Sequence, residues 1–285
     1  LERNPRSRTV RFLLLEYYVR NGKATEAAEE MAALTRLMPD ARPLLIAGLA
    51  RFAESVPDSR AIAQVLDDDP AAQGAVLEHL AATGASPDLL LELSSGRRPR
   101  PDAKWASVLI DALVERGDVE QAYALWRRFA GFPAGTVPAG LFNAGFEDLP
   151  ARPPFNWRLT SSQGGTAQLG TGLQITYSGE ERMLLAEQLL LLPPGVYTLS
   201  FEAEGDAGSA GSGLVWALTC HGSGTRLAAV AVQPSSVIPR SNSAGFTVPG
   251  GCPAQWIRLV GTPAAEAGSP GLSITELAIT GANLQ

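Results

Sequence analysis

Two histidines and two cysteines, His79, His221, Cys220 and Cys252, are the chain's whole stock of imidazoles and thiols. Cys220-His221 has the composition of a thiol–imidazole dyad. It falls, however, in an alternating stretch that reads as a strand, where neighbouring side chains point to opposite faces and cannot share one cleft. His79, in LEHLAATG, reads as a partly exposed helix residue. The chain has no G-x-S-x-G elbow, H-E-x-x-H pair, phosphate loop or zinc spacing. The glycine-rich Gly205–Gly213 stretch has no helix after it and reads as a loop, not a phosphate cradle. Glu180, Glu181, Glu187 and Glu202 could supply the paired carboxylates of glycoside hydrolysis, but no spacing singles out a pair. The expectation is a protein that is not an enzyme.

Other chemistry-bearing clusters read as structural. Asp67-Asp68-Asp69 before Pro70 fits a solvated helix end plus an N-cap for the next helix better than a metal site. Arg97-Arg98-Pro99-Arg100-Pro101 fits a solvated basic linker, with contact to an acidic polymer as the second reading. Aromatic rings can act as flat apolar platforms for sugar C–H faces, and the candidates here are Tyr177, Trp216 and Trp256. Trp216 alternates in register with Leu214 and Leu218, which favours the core. Trp256 is out of register with Ile257 and Leu259 and next to Arg258, so it is the best exposed candidate, with Arg258 as its polar neighbour.

These residues must be positioned by elements, and composition limits which. The chain has 285 residues, 45% apolar and 18% charged, enough for two cores of ordinary size. The net charge of −6, with only Lys23 and Lys104 as lysines and no basic block, argues against a nucleic-acid partner. Apolar runs such as Leu189–Pro194 fall far short of the ~20 residues that span a bilayer. Membrane attachment would need a segment outside this chain. Residue 1 is Leu, and we expect a processed or truncated chain with a signal or anchor upstream.

Composition shifts near Pro138. Residues 1–139 carry 17 Lys+Arg and 19 Asp+Glu, against 6 and 10 in residues 140–285. The first part has the Ala, Leu, Glu and Arg content of amphipathic helices. Val10, Leu13, Leu14, Tyr17 and Tyr18 mark one helix face, and Asn21-Gly22 ends that helix. Further helices are predicted at Ala24–Met38, Pro43–Glu54, Ser59–Leu66, Ala71–Ala82, Pro87–Leu93, Trp105–Glu115 and Val119–Phe129. LLEYYVRNGKATEAAEEMAAL and VLIDALVERGDVEQAYALWRRF each show a helix, a Gly turn and an Ala-rich second helix. That pattern resembles a tetratricopeptide unit, with Ala27, Ala28 and Ala122 as close-approach positions. Residues 1–139 are therefore expected to form an all-α, tetratricopeptide-like array.

In residues 140–285, Gly, Ser, Thr and Pro punctuate short β-like runs, of which Leu141–Glu147 is the first predicted strand. Tyr197, Leu199, Phe201 and Ala203 alternate with Thr198, Ser200, Glu202 and Glu204, as in an antiparallel sandwich with one face wet. Cys220 and Cys252 sit in neighbouring predicted strands and could be bridged or remain two buried thiols. The series Asn143-x-Gly145-Phe146-Glu147, Trp157, Leu192-x-x-Gly195-x-Tyr197-x-Leu199, Phe246-x-Val248-Pro249 and Ile274-x-x-Leu277-x-Ile279 resembles carbohydrate-binding-module-like jelly rolls of the galactose-binding-like type. The resemblance implies an all-β jelly-roll sandwich over 140–285, Trp157 in its core, and a Cys220–Cys252 disulfide. It also implies a structural calcium site, with Glu147 and Glu276 at the matching positions, although Glu replaces the more usual Asp at the second. Joined to a helical half, the chain is also similar to proteobacterial envelope proteins associated with exopolysaccharide production. That likeness implies a periplasmic or cell-envelope location, with polysaccharide or envelope proteins as partners.

Overall fold

The helices begin and end where local chemistry requires. In the computed structural model, which describes residues 7–56, 59–100, 103–133, 140–205, 212–263 and 271–281, Ser7 caps α1 (Arg8–Arg20). Asp69 accepts from the Ala72 amide and Pro70 opens α5 (Pro70–Thr83), while Gly84 closes it in the left-handed conformation. Ser86 and Pro87 do the same for the start of α6 (Pro87–Leu93). Between these run α2 (Ala24–Leu37), α3 (Arg42–Ser55) and α4 (Arg60–Asp67), and α7 (Lys104–Glu115) follows.

The chain divides into two compact units, Leu1–Asp118 and Val119–Gln285. In the first, α2 packs on α1, α3 and α4, and α5 packs on α3, α6 and α7. Its core combines small and branched residues: Ala27, Ala28, Leu49, Ile62, Leu66, Val76, Leu80, Ile110 and Leu113 are all buried. The predicted apolar face of α1 is not. Val10, Leu13 and Tyr17 are exposed and only Leu14, Leu15 and Tyr18 are half-buried, because α2 is the helix that packs on α1. Periodicity reports an apolar stripe, not whether a neighbour exists to cover it.

The division falls at the turn after α7, so α8 (Val119–Ala130) belongs to the second unit. Its Trp126 explains why. The ring lies 5.1 Å from Phe142 and 5.6 Å from Phe155, and the indole N–H donates to the Arg152 carbonyl at 2.6 Å. Composition shifts near Pro138, and aromatic packing joins α8 to the β unit.

Eleven strands follow among the described residues: β1 (Arg158–Leu159), β2 (Ser161–Ser162), β3 (Gly165–Gly170), β4 (Gly172–Tyr177), β5 (Met183–Leu190), β6 (Gly195–Gly205), β7 (Leu214–Cys220), β8 (Arg226–Ala231), β9 (Arg240–Val248), β10 (Gln255–Gly261) and β11 (Gly271–Gly281). They form two antiparallel sheets, ordered β1-β5-β10-β7-β8 (sheet A) and β2-β3-β4-β11-β6-β9 (sheet B). Successive strands repeatedly switch sheet, which gives the jelly-roll sandwich. Its inner faces meet in one core containing Phe146, Trp157, Tyr197, Phe201, Trp216, Ile257, Leu259 and Ile274. Trp157 stands 5.1 Å from Phe146 and 5.7 Å from Trp216.

The expected strand at Leu141–Glu147 is a turn instead. Asn143 and Phe146 take positive φ of 54° and 57°. The Asn143 side chain accepts from the Glu147 amide at 2.8 Å and donates to the Glu147 carbonyl at 2.7 Å, bonds that a ladder would otherwise claim. Gln188 compensates: its amide accepts from Phe142 N and donates to Phe142 O, standing in for a neighbouring strand. The Gly205–Gly213 loop lies, for residues 206–211, outside the described residues.

Candidate functional site

Alternation along β10 decides which side chains leave the core. Gln255, Ile257 and Leu259 point inward and are fully buried, so Trp256 and Arg258 share the outward face of sheet A, both half-buried. Register then brings in groups from other strands. Arg258 pairs with Glu187 of β5 on one side and Ala217 of β7 on the other, and Glu187 in turn pairs with Arg158 of β1. Trp256 lies opposite Thr219, which faces Arg226 of β8, and Ala217 faces Ala229.

The result is a connected row. The Arg258 guanidinium carbon lies 4.8 Å from the Trp256 ring centroid, a cation–π contact. Arg258 Nε donates to Glu187 Oε2 at 3.0 Å, and Arg158 Nη1 donates to Glu187 Oε1 at 3.0 Å. The Glu187 side chain is only 7% exposed, against 35% for Arg258 and 43% for Arg158. One carboxylate therefore sits beneath two guanidiniums that reach the surface. At the other end Trp256 Nε1 donates to His221 Nδ1 at 3.1 Å. Indole N–H is only a donor, so that imidazole nitrogen carries the lone pair.

His221 is itself held in place. The Cys220–Cys252 disulfide joins the end of β7 to the approach to β10, with Cα atoms 5.4 Å apart, and His221 N donates to the Ala254 carbonyl at 2.8 Å. The bridge settles the alternative that the sequence leaves open. It also shows what Cys220-His221 does: the thiol is bonded covalently and the imidazole orients an indole.

Two of the sequence candidates cannot be surface platforms. Trp216 is completely buried, and Tyr177 is 1% exposed. The Tyr177 ring packs over Gly261, where a Cβ would come within 2.5 Å of it, and its hydroxyl donates to the Glu181 carbonyl at 2.7 Å. Burial pushes the Tyr177 phenol above its ordinary value, with the Glu181 charge adding to the rise. Both rings are core because each lies at an inward position of its strand. Only the Trp256 and Arg258 candidates come together, and Arg158, Glu187 and His221 join them through strand pairings distant in sequence.

Glu147 and Glu276 are both exposed. Glu276 takes a positive φ of 50° at a bulge in β11, and the Glu147 backbone is engaged by Asn143. Calcium takes six to eight oxygens. Among the described residues no three His, Cys, Asp or Glu side chains gather into a metal-binding group.

The remaining charged candidates have structural partners. Asp69 caps α5 and pairs with Arg36 at 2.9 Å. Asp67 accepts from Ser95, Gln73 and Arg97, tying the start of the basic loop to α4. That loop borders a cleft of about 590 Å³ with Lys104 and Trp105. His79 is a half-buried residue of α5. Glu187 and Glu202 are divided between sheets A and B.

No protein-family model matches the chain, and no curated protein matches it. Among solved structures, the chain is similar to a CBM4 structure at 15% identity and TM-score 0.38, covering 50% of this chain and 99% of that one. It is similar to the CBM22-2 xylan-binding domain of Paenibacillus barcinonensis Xyn10C at 18% identity and TM-score 0.31, covering 50% and 99%. It is also similar to the enzymatically active domain of tailspike protein 4 of bacteriophage CBA120, at 12% identity and TM-score 0.36, covering 50% of this chain and 21% of that one.

Proposed function

We propose that this chain is a non-catalytic polysaccharide-binding scaffold of the cell envelope, acting in exopolysaccharide assembly or export, with the outward face of sheet A as its sugar-contacting surface. One observation carries the reading. Trp157 and Trp216 are buried in the sandwich core, whereas Trp256 is left half-exposed on the outward face of sheet A. An indole beside hydrogen-bonding side chains is the combination that sugar recognition uses, the ring against C–H faces and the polar groups against hydroxyls. Ala217, Thr219 and Ala229 beside it are small, which keeps the floor of the face shallow. Both oxygens of Glu187 are held by arginines, and this supports binding rather than hydrolysis. A disulfide fits an oxidising compartment. Among the described residues no helix is long and apolar enough to cross a membrane.

The test is affinity electrophoresis of the whole chain through gels containing soluble acidic and neutral polysaccharides, with Trp256→Ala alongside. Retardation by one polymer that disappears in the variant supports the reading, and free migration in every gel refutes it. A second reading, a protein–protein adaptor whose jelly roll binds no sugar, has its own observation. Phe12, Leu13 and Tyr17 of α1 are 42%, 61% and 54% exposed, an apolar strip suited to an envelope protein partner.

A further inference from the structure

The charge arrangement around Trp256 goes beyond a generic sugar face. We infer that this face selects an acidic polysaccharide, one whose sugar rings carry carboxylates, and that Arg158, Arg258 and Arg226 set that preference; the inference rests on the polysaccharide reading above. The chain as a whole carries −6. On this face the sign reverses locally. Three arginines, from β1, β10 and β8, share the outward side of sheet A with Glu187. Glu187 lies beneath the surface at 7% side-chain exposure, while the Arg158 and Arg258 side chains are 43% and 35% exposed.

The buried carboxylate works as an orienting group. Each of its oxygens takes one guanidinium, at 3.0 Å in both cases, which holds the two arginines side by side. A guanidinium has five N–H donors in a fixed fork, and Arg258 gives one of them, Nε, to Glu187. A planar carboxylate matches that fork in a bidentate, charge-assisted contact that a hydroxyl cannot reproduce. Position supports the same choice. The Arg258 guanidinium carbon is 4.8 Å from the indole centroid, so a uronic acid ring touching Trp256 brings its carboxylate within reach of Arg258. A neutral sugar at the same place gains the indole contact and nothing from the net positive charge.

The experiment compares polygalacturonate with its fully methyl-esterified form, which keeps the backbone and removes the charge. Binding of the whole chain to each is measured by titration calorimetry. The acid form should bind at least about tenfold more tightly, as expected for one charge-assisted contact added to the same ring contacts. Added salt should narrow that gap. Arg158→Gln and Arg226→Gln, both at side chains that reach solvent, should each shrink the preference for the acid over the ester. Trp256→Ala should weaken both forms. Equal binding of acid and ester, both sensitive to Trp256→Ala, overturns the charge selection and leaves the polysaccharide reading standing. Acid binding indifferent to Arg158 and Arg226 overturns it as well, and so does polyglutamate binding as tightly as polygalacturonate. Binding of neither polymer overturns the charge selection, and the polysaccharide reading then stands or falls with the affinity gels.

Discussion

Replacing Cys220 and Cys252 with Ser should lower the stability of the second unit by about 4 kcal/mol in the chain-entropy account of a cross-link. The figure follows from the bridge's sequence separation of 32, a loop that contains β8 and β9. Most of the loss should arise in the unfolded chain, because the native approach of the two residues has other support. Gln255 pairs with Cys220 in the β10–β7 ladder, and His221 N bonds to Ala254 O. With a urea dependence of about 2 kcal/mol per molar, the midpoint should fall by about 2 M. Tryptophan fluorescence during urea unfolding of the whole chain is the assay. Four of the five tryptophans, Trp126, Trp157, Trp216 and Trp256, lie in the second unit and only Trp105 in the first. An unchanged midpoint in the double variant would refute the reasoning, since the bridge would then constrain nothing that the strands do not already fix.

Three further outcomes are expected. Trp126→Ala should destabilise the second unit by roughly 3–5 kcal/mol, as for other large-to-small aromatic changes, with the first unit's helical melting transition unmoved; loss of the first unit instead would contradict the placement of α8. Because burial raises the Tyr177 phenol, the folded chain keeps that proton at alkaline pH where the unfolded chain loses it. Its contribution to stability is full below the ordinary tyrosine value and declines as pH rises through the raised one. Tyr177→Phe should therefore flatten the alkaline loss of stability in melts taken across that range, and an unaltered slope would count against it. Melting curves in calcium and in chelator should coincide, and a higher melting temperature in calcium would show that backbone oxygens complete a site around Glu147 or Glu276.

Much of the fold is legible because it is local. Caps such as Asp69, terminators such as Gly22 and the alternation of Gly195–Glu204 are short-range signals that the backbone obeys. Departures arise where particular side chains override the pattern. Asn143 turns the expected first strand by bonding its own neighbourhood, and α8 is drawn into the β unit by aromatic residues beyond its own helix. The candidate site was half legible. Alternation separates Trp256 and Arg258 from their inward neighbours, and the same argument places Trp216 in the core. The sequence also contains Glu187, Arg158 and His221, but their convergence depends on the β1–β5–β10–β7 register, which no local pattern encodes.

The most direct test of the central claim is calorimetric titration of the whole chain with the polysaccharide that retards it in affinity gels, run with wild type and Trp256→Ala, each checked by its melting temperature. The account predicts at least about a tenfold loss of affinity, the scale of one stacking contact on an aromatic platform, in a variant that melts where wild type does. Undiminished binding by a folded Trp256→Ala would contradict it and take the sugar off this face of the sandwich.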